Sequence, residues 1–304
     1  MELRILVKHG IIHGVSGLLI ISMFQGIKSL NKSIFLNGEE EKFKMSQYQE
    51  IAKYLVSAEE ERREVPKVTV NIKPDLSVEE AYLVQQEIVN RKLSEGRRIV
   101  GPKMGLTSFA KMKQMGIEEP IYGYVFDYML IENGGKIRLS DLIHPKVEAE
   151  IAFVIGEDIE GPGITGAQVL AKTEYVLPAL EIIDSRFENF QFTLPDVIAD
   201  NASTSRVVLG TSLTKPDQFE LDLVGATLTI NGEIKELGAG AAVLGHPAHS
   251  VAMLANMLAR KGEKVRKGDV ILTGGITAAV KLNLGDVVSG KLDGFGEVSF
   301  TVTD

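Results

Sequence analysis

HPKVEAEIAFVIG, residues 144–156, is the stretch whose reading decides the fold. Val147, Ala149, Ile151, Phe153 and Ile155 alternate with Glu148, Glu150, Ala152 and Val154, a period of two that predicts a β-strand. Side chains two apart share a face, so Glu148 and Glu150 point the same way with Cα atoms roughly 6–7 Å apart. The run that follows is apolar enough to bury both faces. Two adjacent carboxylates there repel each other and resist desolvation. Protonation of one, a cationic side chain between them, or a metal ion would each relieve this. Oxygen ligands suit a hard cation such as Mg²⁺ or Mn²⁺. The alternative is a half-exposed edge strand with two solvated glutamates.

Composition narrows what can surround such a strand. The chain of 304 residues is 44% hydrophobic and 24% charged, ordinary for a soluble globular protein, and length allows one large domain or two. A net charge of −8 without a basic block argues against nucleic acid as a partner. Cysteine is absent, which excludes disulfides, thiolate metal sites and cysteine nucleophiles and agrees with a cytoplasmic location. There is no HExxH, GxSxG or Walker-type glycine loop, so zincin, α/β-hydrolase and P-loop chemistry lapse.

Residues 1–44 differ in texture from the rest. Gly10–Ile27 is apolar on average, with Arg4 and Lys8 ahead of it, but polar residues and glycines interrupt the run and weaken a membrane span. Gly38-Glu-Glu-Glu41 before Met45 is what a purine-rich ribosome-binding site would encode if read in frame. Residues 1–44 are therefore expected to be a spurious or disordered leader, with a targeting segment as the second reading.

A helical part is expected over 45–100: one helix across 45–63, a short strand at Val68–Ile72, and a helix opened by the Ser77/Glu80 capping box and stopped at Gly96. From 101 to 304 the texture is β-rich. Gly101–Ser108 holds Lys103, Ala110–Gly116 reads as helical turns, and Pro120–Tyr124 as extended chain. Thr173–Ser185 is a second apolar strand carrying Glu181 and Asp184; a buried carboxylate needs a partner, and Glu181 as a third ligand beside Glu148 and Glu150 would supply one. Asp196–Gly210 reads as a polar loop entering a strand, and Leu228–Lys235 as a hairpin turning at Asn231-Gly232. His246 and His249 open a helix, where capping is the more ordinary role than metal ligation. Thr273-Gly-Gly275 ends a buried strand in a tip whose amides could hold a carboxylate.

Several segments together resemble one family: KMGLTS, AKMKQMG, PIYGY, HPKVEAEIAFVIG, ALEIIDSRF, IADNAS, VLGHPA and GDVILTGG. They are similar, in order from about Met45 to the end, to the 4-oxalocrotonate (2-oxohex-3-enedioate) decarboxylases and their sisters, the 2-hydroxypenta-2,4-dienoate hydratases, of the fumarylacetoacetate-hydrolase superfamily. The resemblance implies an α+β, mixed β-rich fold with an N-terminal helical segment. It implies a divalent metal, Mg²⁺ or Mn²⁺, on Glu148, Glu150 and Glu181, and no organic cofactor. It places Lys103 in the pocket as the catalytic residue, expected to stand clear of the carboxylates, with Leu106, Ser108, Thr273 and Gly274 contacting substrate and Asp184 and Arg186 supporting the ligands. Phe109, where the decarboxylases carry a basic residue, is a departure, and it is expected to belong to an apolar wall. The activity implied is decarboxylation of a small dicarboxylic 2-oxo acid in meta-cleavage degradation of aromatic compounds. The alternatives are the hydratase activity and a non-catalytic structural role beside a hydratase. A homo- or hetero-oligomer, a hydratase partner, and no membrane or nucleic-acid partner are also expected. A carbon–carbon hydrolase of the superfamily would want a histidine ahead of the glutamate strand, and none occurs between Met45 and Leu142.

Overall fold

The computed structural model describes residues 44–304, so the leader expectation for 1–44 lies almost wholly outside the described residues. The chain divides into two units, Met1–Tyr48 and Gln49–Asp304. Thirteen strands are described: β1 (Ile99–Gly105), β2 (Ile121–Phe126), β3 (Leu130–Ile131), β4 (Gly135–Arg138), β5 (Lys146–Ile155), β6 (Thr173–Ile183), β7 (Thr204–Leu209), β8 (Gly225–Ile230), β9 (Glu233–Ala239), β10 (Val270–Leu272), β11 (Val280–Lys281), β12 (Val287–Leu292) and β13 (Gly296–Thr303). They form two mixed sheets. The larger runs β2-β1-β10-β5-β6-β7-β3, with β11 also pairing β5, and the smaller runs β4-β13-β12-β8-β9.

The glutamate strand is central, not an edge. β5 lies antiparallel between β10 and β6, and almost every residue along it is buried. Its two faces go to different cores. Val147 and Ala149, with Leu180 and Ile182 of β6, pack against Leu228, Val288, Val298 and Phe300 of the smaller sheet. Ala152, with Leu177 and Ala179 of β6, packs against Val89, Phe126 and Leu272. Glu148 and Glu150 share the face of Ala152. A slip of one residue would push both carboxylates into the inter-sheet core, which fixes the register firmly.

The helical part begins with a helix through residues 44–61, of which Ile51, Leu55 and Val56 are buried. The helix Val78–Ser94 starts at the expected capping box: Ser77 Oγ accepts from Glu80 N, and Ser77 N donates to Glu80 Oε2. It buries Ala81, Val84 and Ile88 and ends before Gly96, whose φ of +85° suits glycine. Asn231 and Gly232 both take positive φ at the β8–β9 turn, as a two-residue hairpin of this twist requires.

Two local expectations fail for a shared reason. Val68–Asn71 is a helical turn, not a strand, and Leu194–Ala199 is a helix that takes in the first residues of the expected Asp196–Gly210 loop. The fully buried Asp196 joins them. Its carboxylate accepts from the N–H and hydroxyl of Thr69 and from the N–H and hydroxyl of Thr193, the latter as a capping box. These bonds override the β preference of Val-Thr-Val.

No helix among the described residues is long and apolar enough to cross a membrane.

Candidate active site

The register of β5 on β6 places Glu148 directly opposite Glu181, and both face a cavity of about 320 Å³. Glu150 lies one step deeper, fully buried. Lys103 reaches the same cavity from β1, which lies across β10 from β5.

The electrostatics are those of excess negative charge in a dry place. Burial pushes the Glu150 carboxyl well up, and the neighbouring Glu181 and Glu148 charges add to this against Lys103 and the Gly274 amide. Burial raises Glu181 as well, opposed by Lys103. Each carboxylate is drawn toward its own partner. Lys103 Nζ lies 3.0 Å from Glu181 Oε1, an ion pair with both side chains buried, and donates to Ala202 O at 3.1 Å. It therefore does not stand clear of the carboxylates as expected. Glu150 Oε2 accepts from Gly274 N at 2.8 Å, and Glu148 Oε1 lies 3.5 Å from Lys111 Nζ. Glu150 Oε1 is buried without a partner. Among the described residues no group of three or more histidine, aspartate or glutamate side chains closes around one point as a ready-made cation cage.

Thr273 and Gly274, expected to contact substrate, do not line the cavity: the Gly274 amide is occupied by the protein's own Glu150 carboxylate. Thr273 is fully buried, its hydroxyl donating to Ile151 O and its carbonyl accepting from Ser250. Gly275 lines the cavity so closely that a Cβ there would sit 1.9 Å from Glu148 Oε2. Gly275→Ala is therefore expected to displace the Glu148 carboxylate and cut turnover about 10²-fold. Its circular dichroism and Tm should stay near those of the parent, and an unchanged rate would show that Glu148 needs no fixed position.

Leu106 and Ser108 both line the cavity. Leu106 adopts φ +57°, unusual for a branched side chain and a mark of local constraint at the exit of β1. Ser108 caps the helix Phe109–Met115, its hydroxyl accepting from Lys111 N. Phe109 is 63% exposed and does not line the cavity, so its expected place in an apolar wall is wrong. It is the first residue of that helix and faces outward. The wall is built instead by Ile121, Ile183, Phe190, Phe192 and Val197. Among the described residues no histidine lines the cavity. His246 caps the helix Pro247–Ala259, its Nδ1 accepting from Ala248 N.

Asp184 and Arg186 brace the site from behind. The Asp184 carboxylate accepts from Ile143 N and His144 N, fixing the approach to β5. Arg186 pairs with Asp200 and donates to the carbonyls of Asp184, Asp200 and Thr204. This network holds Asn201-Ala202-Ser203, three consecutive residues at positive φ, so that Ala202 O meets Lys103. Ser203 was not singled out from the sequence. Its hydroxyl is buried, lacks a hydrogen-bond partner and belongs to the cavity lining. Only its place in IADNAS hinted at it.

The family model for the fumarylacetoacetate (FAA) hydrolase C-terminal region matches residues 106–303. The chain is 51% identical over 249 residues to the 4-oxalocrotonate decarboxylase of Pseudomonas sp. (strain CF600), covering 82% of this chain and 94% of the relative. It is 42% identical over 225 residues to the 2-keto-4-pentenoate hydratase of Paraburkholderia xenovorans (strain LB400), covering 74% and 84%. The solved structure of 4-oxalocrotonate decarboxylase from Pseudomonas putida G7, complexed with magnesium and adipate, superposes with a TM-score of 0.83 at 47% identity, covering 84% of this chain and 97% of that one. The chain belongs to the enzymes of the fumarylacetoacetate-hydrolase family, in the branch that holds the 4-oxalocrotonate decarboxylases and their hydratase relatives.

Proposed function

We propose that the protein is a divalent-metal-dependent decarboxylase of 2-oxohex-3-enedioate, releasing CO2 and 2-hydroxypenta-2,4-dienoate during meta-cleavage degradation of aromatic compounds. The observation that carries this is a buried carboxylate trio facing a lysine inside a cavity with an apolar wall. Glu148, Glu150 and Glu181 fit a hard dication such as Mg²⁺ or Mn²⁺ by donor type, by their excess charge over Lys103, and by the orphaned Glu150 Oε1. Such an ion supplies Lewis-acid polarisation of a bound 2-oxo acid.

The protein groups account for the rest. In 2-oxohex-3-enedioate the distal carboxylate is vinylogously β to the 2-oxo group. Breaking its bond to the chain leaves an electron pair that spreads to the 2-oxygen. Lys103, whose ammonium is held by Ala202 O, can stabilise that charge and donate the proton that completes the enol. The wall of Ile121, Ile183, Phe190 and Phe192 keeps the far lining largely apolar, so the departing carboxylate meets no dry, tight ion pair there, which favours CO2 loss. Among the described residues that same wall carries no carboxylate or histidine to aim water at a terminal alkene, as hydration would need. Ser203 Oγ is a candidate contact for the bound 2-oxo acid. A hydratase complex beside this enzyme would consume its product.

Purified protein with Mg²⁺ or Mn²⁺ is expected to release CO2 from 2-oxohex-3-enedioate and to hydrate 2-hydroxypenta-2,4-dienoate slowly or not at all. The two substrates are compared on one preparation by CO2 capture and ultraviolet absorbance. The opposite preference makes this a hydratase, and no turnover of either, with no metal bound, makes it a structural partner.

A further inference from the structure

Lys146 begins β5 on the same face as Glu148 and Glu150, so the strand presents Lys-Glu-Glu in a row from the cavity's mouth inward. Its Cα partner on β11 is Lys281, and its other Cα partner, Ile183, lines the cavity. Like charges directly opposite one another in a sheet are destabilising. Among the described residues neither lysine has an ion-pair partner; Lys146 Nζ instead sits 3.9 Å from the centroid of Phe190, another lining residue. Lys111, the remaining lysine of the lining apart from Lys103, already lies against Glu148. A half-buried, unpaired ammonium facing a second lysine lacks an anion.

We infer that Lys146 is the specificity residue for the distal carboxylate of the substrate, holding it at the mouth while the 2-oxo acid end lies at the glutamates. This rests on the reading of the substrate class given above and adds the residue that selects dicarboxylates within it. The dimensions agree. An extended six-carbon diacid separates its carboxyl carbons by roughly 6 Å, and Lys146 and Glu148 are roughly 6–7 Å apart along the strand. The position also suits the chemistry. Lys146 is partly open to water, so it can orient the distal carboxylate without the tight, dry ion pair that would oppose its loss.

The test compares two saturated probes that cannot decarboxylate by this route, 2-oxohexanedioate and 2-oxohexanoate, titrated calorimetrically into the full chain with Mg²⁺. They share the 2-oxo acid end and differ only in the distal carboxylate. The parent protein is expected to bind the diacid at least tenfold more tightly. Lys146→Met should erase that preference by weakening the diacid alone, while Lys146→Arg should keep most of it. Unchanged monoacid binding certifies that the variant is folded. Equal weakening of both probes, or an undiminished preference in Lys146→Met, overturns the inference while leaving the substrate class standing. A parent protein that binds neither probe overturns both.

Discussion

Glu181→Gln protein is expected to fold and to lose metal-dependent turnover, by on the order of 10³-fold. Glutamine keeps the shape of the side chain and removes its charge. Glu181 is 1% exposed, stands opposite Glu148 in the β5–β6 register, and is the ion-pair partner of Lys103. The substitution thus removes one of three hard donors and leaves a buried ammonium without its ion-pair partner, hydrogen-bonded to Ala202 O. A loss of activity alone would not separate these effects from unfolding, so the decisive readout is thermal. A ligand that binds only the folded state stabilises it by about 2.7 kcal/mol at a hundred times its Kd. Mg²⁺ should therefore raise the Tm of the parent protein and fail to raise that of Glu181→Gln at the same concentration. Equal metal-induced shifts in the two proteins would remove Glu181 from the ligand set, whatever the kinetics show.

The pair Glu148/Glu181 also shows how far the sequence reaches. Both strands are legible because period-two alternation survives in them, and the capping box at Ser77 and the turn at Asn231-Gly232 are legible because their signals are local. That the strands adjoin, and that they adjoin in the one register that sets the two glutamates opposite, is a long-range fact that no local pattern encodes. The misread segments lie where a distant group dictates local structure. Val68–Asn71 is β-branched yet helical because Asp196, far along the chain, binds Thr69. Leu194–Ala199 carried a visible Thr193/Asp196 capping signal but too short an apolar stripe to be read as a helix. The residues at positive φ, Leu106 and Asn201–Ser203, have no glycine to announce them. Ser203 and Lys146 escaped notice for a related reason: their chemistry is ordinary, and only the cavity makes them unusual.

Arg186→Met is expected to lower global stability by about 3–5 kcal/mol, the usual consequence of leaving one member of a buried ion pair alone. Arg186 is 5% exposed and Asp200 fully buried. Burial pushes the Asp200 carboxyl up to about 7, with the Arg186 guanidinium opposing that rise, so removing the arginine raises it further. The variant should accordingly take up a proton at Asp200 on folding around neutral pH. A carboxyl whose folded pKa lies above its unfolded value adds stability below the unfolded pKa and loses it as pH rises through the folded one. The deficit of Arg186→Met relative to the parent should then shrink as pH is lowered from 8 to about 7 and level off below, where Asp200 is protonated in both folded proteins, a trend chemical denaturation at several pH values would reveal. The damage should also reach the cavity, because Arg186 holds the Asp200 carbonyl that leads into Asn201-Ala202-Ser203. Relaxation of that turn withdraws Ala202 O from Lys103, so kcat at a temperature well below the variant's Tm should fall with it. Replacing both partners, as Arg186→Met with Asp200→Leu, should restore much of the stability by removing the orphaned charge. It should restore little of the rate, since the carbonyl network that aims Ala202 at Lys103 is still missing. A double variant that recovers both, or a single variant as stable and active as the parent, would show that Lys103 is positioned without this network.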